Sequence, residues 1–172
     1  MKVKDVMSEH SVKFCSPETK LQDAAKSMKA NNCGALPVVN KDKKVLGIIT
    51  DRDICLASAQ TKSVPFENRK VEEVMSKRVH TVKSNDEISA AFQHMRKNQI
   101  GRLPVVDEAG KLKGIVSLHK LLNHSVSEEK KLLGNLSDSG ENLLKTIQAV
   151  TNRYNNNRVL KTAERKLLKA AE

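Results

Sequence analysis

The stretch Gly47-Ile48-Ile49-Thr50-Asp51-Arg52-Asp53-Ile54 decides how this chain is read. Val45 to Ile49 is a short, β-branched apolar run of strand type, and Thr50 to Asp53 has the wording of a helix cap and first turn. A strand is expected to hand over to a helix here. The unpaired N–H groups and positive dipole of a helix start suit an anion. A hydroxyl and a carboxylate placed there can orient a phosphorylated, ribose-bearing ligand. The same Thr-x-x-Asp spacing is that of a capping box, in which both side chains serve the helix alone.

Working outward, the stretch proves to be half of a duplication. Gly47-Ile-Ile-Thr50 returns as Gly114-Ile-Val-Ser117, and Gly34-Ala-Leu-Pro-Val-Val39 returns as Gly101-Arg-Leu-Pro-Val-Val106. Val3-Lys-Asp-Val-Met-Ser8 returns as Val71-Glu-Glu-Val-Met-Ser76. Leu21, Ala24, Ala25 and Met28 are matched by Ile88, Ala91, Phe92 and Met95, each set at the i, i+3, i+4, i+7 spacing of a one-sided helix. Each copy therefore reads as a short strand near Val12 to Cys15 (Val79 to Val82), a helix, a two-stranded hairpin and a second helix. Thr19 with Gln22 predicts a capping box for the first helix, with Asp86 in the role of Thr19 in the second copy. Pro37 and Pro104 predict an edge or a strand beginning. Asn40 to Lys44 and Asp107 to Lys111 read as hairpin turns. Met7 and Met75 are expected to plug the junction where the copies meet.

Composition narrows the function classes. The chain has 172 residues, of which 38% are hydrophobic and 2% aromatic, with no Trp, so its core must be aliphatic and base stacking on rings is a poor basis for function. Its net charge of +11 favours anionic partners. The charge is spread, with 22 Lys and Arg against 14 Asp and Glu over residues 1–124, so no basic arm marks a nucleic-acid site. Cys15, Cys33 and Cys55 have no Cys-x-x-Cys spacing and the five histidines no metal-ligand spacing, so free thiols and no metal are expected. A charged N-terminal segment and the lack of a long apolar run lead to the expectation of a soluble, cytoplasmic protein with no membrane contact. No nucleophile–base pair or phosphate-cradling loop is visible, so an enzyme is not expected.

The duplicated blocks, above all G-I-I-T-D-R-D-I with the two G-x-L-P-V-V segments, resemble a tandem pair of CBS domains over about residues 1 to 124. The resemblance implies an α+β fold of two β-α-β-β-α repeats related by a pseudo-two-fold, two clefts between them and further dimerisation. It also implies regulatory binding of an adenine nucleotide, AMP, ADP or ATP, with S-adenosylmethionine the lesser candidate and no required cofactor. The division expected is repeat 1 at 1–58, a linker at 59–70, repeat 2 at 71–124 and a helical, basic extension at 125–172. Carried over residue by residue, Thr50 and Asp53 would share one cleft with Ile49, Ile100, Gly101, Arg102 and Leu103. In that cleft the carboxylate would take the ribose hydroxyls, the guanidinium the phosphate, and Ile49 and Ile100 the base. The second cleft, with Ser117, Lys120, Gly34, Ala35 and Leu36, has Lys120 in the acid's place and Ala35 where the first has Arg102, so it is expected to be degenerate. The competing reading is a ligand-free interaction module that recruits a protein or RNA through its basic surface or its C-terminal helices. In that extension Leu160, Ala163, Leu167 and Ala170 have helical spacing amid Arg158, Lys161, Arg165, Lys166 and Lys169.

Overall fold

Duplication of sequence becomes duplication of structure in a computed structural model that describes residues 1–8, 12–60 and 64–121. Met1–Ser117 forms one compact unit, which holds repeat 1 and repeat 2 as far as the end of its hairpin, and a second begins at Leu118, of which residues 118–121 are helical. The expected extension at 125–172 lies outside the described residues.

Repeat 1 contains α1 (Leu21–Ala30), β1 (Ala35–Val39), β2 (Val45–Thr50) and α2 (Asp51–Ser58). Repeat 2 follows with β3 (Val82–Lys83), α3 (Ile88–Asn98), β4 (Arg102–Val106) and β5 (Leu112–Ser117). The helices bury the predicted stripes, Leu21, Ala24 and Met28 in α1 and Ile88, Ala91 and Met95 in α3. The hairpins pair antiparallel in matching registers, Ala35 opposite Thr50 and Arg102 opposite Ser117, each with a bulge near its turn.

Three local expectations are corrected. The strand preceding each helix shrinks to a single bridge between Cys15 and Val38 in repeat 1 and to the two residues of β3, parallel to β4, in repeat 2. β1 and β4 thus have neighbours on both sides, and Pro37 and Pro104 stand in mid-strand rather than at an edge. This is tolerated because the Pro37 carbonyl accepts from the Cys15 N–H while its nitrogen, on the same side, lies beyond that single bridge. The caps also differ. Lys20 and Glu87 are the N-cap residues, with no side-chain cap bond. Thr19 Oγ1 accepts from Ser16 N–H at 3.1 Å and Asp86 Oδ2 from Lys83 N–H at 2.8 Å, so both close the preceding turn. The first helical N–H groups are met instead by backbone from outside the repeat, Leu21 by the carbonyl of Arg69 in the connector and Ile88 by the Met1 carbonyl at the start of repeat 1.

That last pairing belongs to a general exchange, for the opening segment of each repeat is built into the other. Ser76 exchanges two backbone hydrogen bonds with Ile48 of β2, and Ser8 exchanges two with Ile115 of β5. A Cβ on Gly47 would lie 3.0 Å from Met75 Sδ and 2.8 Å from the Ser76 carbonyl. One on Gly114 would lie 2.8 Å from Met7 Sδ and 2.9 Å from the Ser8 carbonyl. The two methionines do plug the junction, each over a glycine that leaves it room. Val71 joins Cys15, Leu36, Val38, Ile49 and Ile54 in the repeat 1 core, with Val74 and Met75 packed against it. Where the two hairpin turns meet, Lys44 bridges Lys111, with Val45 N–H donating to the Gly110 carbonyl and Leu112 N–H to that of Lys43.

The connector is more than a linker. Arg69 within it is 1% exposed. Its Nη1 donates to the Ala57 carbonyl near the end of α2 at 2.7 Å, and its Nε lies 3.5 Å from Glu73 Oε2.

Candidate functional site

The site begins where β2 becomes α2. Thr50, the N-cap, and Asp53 form the capping box in full: Asp53 N–H donates to Thr50 Oγ1 at 3.2 Å and Thr50 N–H to Asp53 Oδ2 at 2.8 Å. Thr50 Oγ1 also donates to Asp53 Oδ2 at 2.7 Å. With its proton engaged, the threonine hydroxyl can accept from a ribose hydroxyl but cannot donate to a phosphate while the box stands. The bonds made by the Asp53 carboxylate within the described residues all fall on Oδ2, leaving Oδ1 as an acceptor at a half-buried helix start.

Repeat 2 supplies the cation. Arg102 opens β4, yet its guanidinium reaches repeat 1: Nη2 lies 3.0 Å from the point a Cβ on Gly34 would occupy, and Asp51 Oδ2 lies 2.9 Å from the same point. Gly34, expected in the second cleft, stands beside Arg102. The register explains why. Ala35 pairs with Thr50, and Asp51 N–H donates to the Gly34 carbonyl, which fixes Gly34 against the first residue of α2. The glycine is what leaves space for two charged side chains at this spot. The pseudo-equivalent Gly101 has nothing within 4 Å of its Cβ position.

Among the remaining expected residues, Ile49 and Leu103 are fully buried, and Ile49 packs in the repeat 1 core. Of the two isoleucines expected around a base, Ile100 is half-buried and Ile49 is fully buried. Ala35 and Leu36 are likewise buried, Ser117 is half-buried opposite Arg102, and Lys120 is exposed in the helical residues 118–121. Cys33 adjoins the gap. Burial raises its thiol pKa most, the Ala35 backbone N–H and Arg102 pull it down, Asp51 pushes it up and Lys13 pulls it down. Sequence reasoning passed over Asp51 because the Thr-x-x-Asp pattern drew attention to its two ends; only the gap it shares with Arg102 at Gly34 singles it out. Among the described residues no group of His, Cys, Asp or Glu is arranged to hold a metal, and no helix is long and apolar enough to cross a membrane.

This geometry can be set beside known proteins. The model of the CBS domain matches residues 3–60 and again 71–127. The chain belongs to the CBS-domain family. The CBS domain-containing protein YhcV of Bacillus subtilis is 40% identical over 130 residues, covering 74% of this chain and 87% of that protein. The inosine-5'-monophosphate dehydrogenase of Methanocaldococcus jannaschii is 33% identical over 120 residues, covering 70% of this chain. The chain spans 22% of that enzyme and 27% of the uncharacterized protein MJ1404 of the same organism, so about a quarter of each. Among solved structures, the CBS domain pair of MJ0100 in complex with 5'-methylthioadenosine and S-adenosyl-L-methionine has a TM-score of 0.67 at 28% identity. That match covers 74% of this chain and 98% of that one. CBS pairs are in general regulatory modules rather than enzymes, even where an enzyme carries one.

Proposed function

We propose that this CBS pair is a regulatory sensor that binds an adenine nucleotide, AMP, ADP or ATP, beside the start of α2 and conveys its occupancy to a partner protein. The observation that carries the reading is the position of Arg102. A guanidinium from repeat 2 stands against Gly34 and Asp51 of repeat 1, at the helix start that also holds Thr50 and Asp53. Asp53 Oδ1 then accepts from the ribose hydroxyls, with Thr50 Oγ1 as a second acceptor. Arg102 presents its fork to a phosphate, and Ile100 lies against the base beside the open Gly101. The binding of two adenosine compounds by the MJ0100 pair supports the ligand class. The second cleft, where Lys120 replaces the acid and Ala35 the arginine, does not bind in this way.

Binding alters the protein only through a difference in affinity between its states, so affinity is the first quantity to measure. Calorimetry with AMP, ATP and S-adenosylmethionine should give a single site, abolished by Asp53→Ala and weakened about tenfold or more by Arg102→Ala. Absence of heat with all three would remove the sensor reading and leave the ligand-free interaction module.

A further inference from the structure

We propose that Asp51 sets how much negative charge the ligand's tail can carry, making the site selective for adenosine compounds with one anionic group over those with a polyphosphate. This inference rests on the nucleotide reading above and deepens it. Asp51 Oδ1 accepts from the Arg52 N–H at 2.8 Å, while Oδ2 turns to the gap at Gly34 that Arg102 Nη2 also borders. Although both atoms lie within 3.0 Å of one point, neither side chain forms an ion pair within 4.0 Å among the described residues. A carboxylate and a guanidinium therefore share one gap without closing on each other.

Such a gap discriminates by charge. Arg102 offers a planar fork that one phosphate or carboxylate can occupy. Each phosphate beyond the first would add negative charge near the Asp51 carboxylate. A further cation, the exposed Lys13, is felt at the Cys33 thiol alongside Arg102 and Asp51. With Asp53 at the same helix start, two carboxylates stand against these two cations, so the site holds no surplus positive charge to offset phosphates beyond the one that Arg102 engages. A zwitterionic tail fits as well, because its ammonium can face Asp51 while its carboxylate faces Arg102.

The test is calorimetry of the full chain and of Asp51→Asn with AMP, ATP and S-adenosylmethionine, with Asp51→Ser as a second variant of different shape. The wild type should bind AMP about fivefold or more tightly than ATP. Both variants should close that gap by gaining affinity for ATP, and both should lose affinity for S-adenosylmethionine. A wild type that prefers ATP, or variants that leave the ratio of AMP to ATP unchanged, would overturn the proposal. If in that case Asp53→Ala still abolishes binding, the nucleotide reading stands and only the role of Asp51 falls. If no ligand binds the wild type, both fall together.

Discussion

Thr50 and Asp53 show how one pair of side chains answers two demands. The capping box uses Thr50 Oγ1, its proton and Asp53 Oδ2, all of which serve α2 whether or not a ligand arrives. A ligand must then work with what remains, Asp53 Oδ1 and one hydroxyl lone pair, so both readings of Thr-x-x-Asp can hold at different atoms. The residue scale also separates the cysteines. Cys15 is 7% exposed, and burial raises its pKa from the ordinary 9.0 to about 11, whereas Cys55 is exposed. The folded state holds the Cys15 proton more tightly than the unfolded chain does. Its contribution to stability is therefore complete below pH 9.0 and is lost as pH rises towards about 11, at up to about 1.4 kcal/mol per pH unit. Urea unfolding on either side of pH 9.0 should show this loss in the wild type and not in Cys15→Ala; equal slopes in the two would contradict it.

Among the elements, the two hairpins differ at one informative position. Gly110 takes φ of 75° in the second turn, and its counterpart in the first, Lys43, takes φ of 62°. A left-handed conformation that glycine adopts without penalty is thus imposed on a lysine. It is held there by contacts on both sides, as Lys43 N–H donates to the Asn40 carbonyl and its own carbonyl accepts from Leu112 N–H. Lys43→Gly should accordingly raise stability by about 0.5–1 kcal/mol, visible as a higher Tm by calorimetry; an unchanged or lower Tm would show that the turn is not strained. These hairpins, the amphipathic stripes and the strand-to-helix handover were all legible in the sequence, because periodicity and turn chemistry are local properties. The caps of α1 and α3 were not, although the Thr50–Asp53 box of α2 was. Thr19 and Asp86 carried the expected side chains, but the donors at Leu21 and Ile88 are taken by backbone of the connector and of the opposite repeat, which no local pattern records. Pro37 was misplaced for a similar reason, since the shortness of its parallel neighbour is what makes it harmless.

For the molecule as a whole, neither repeat is complete in its own segment of sequence. The repeat 1 core includes Val71, and Arg69, buried between Ala57 and Glu73, ties the end of α2 to the opening segment of repeat 2. The duplication made two related units legible, but residues 59–70 read as a spacer because a buried arginine has no signature of its own in a polar stretch. Family resemblance grouped Arg102 with Thr50 and Asp53; its nearness to Gly34 and Asp51 depends on how the repeats meet. A peptide of residues 1–60 and one of the remaining chain should each lack tertiary structure alone, as judged by amide NMR dispersion, and regain it on mixing. A folded spectrum from residues 1–60 alone would show that the exchanged segments are dispensable. A lone repeat of this design would have to find its opening strand on a second molecule, and its folding would slow with dilution. With both copies on one polypeptide, the same exchange becomes a first-order event, and the native state forms equally well however scarce the protein is.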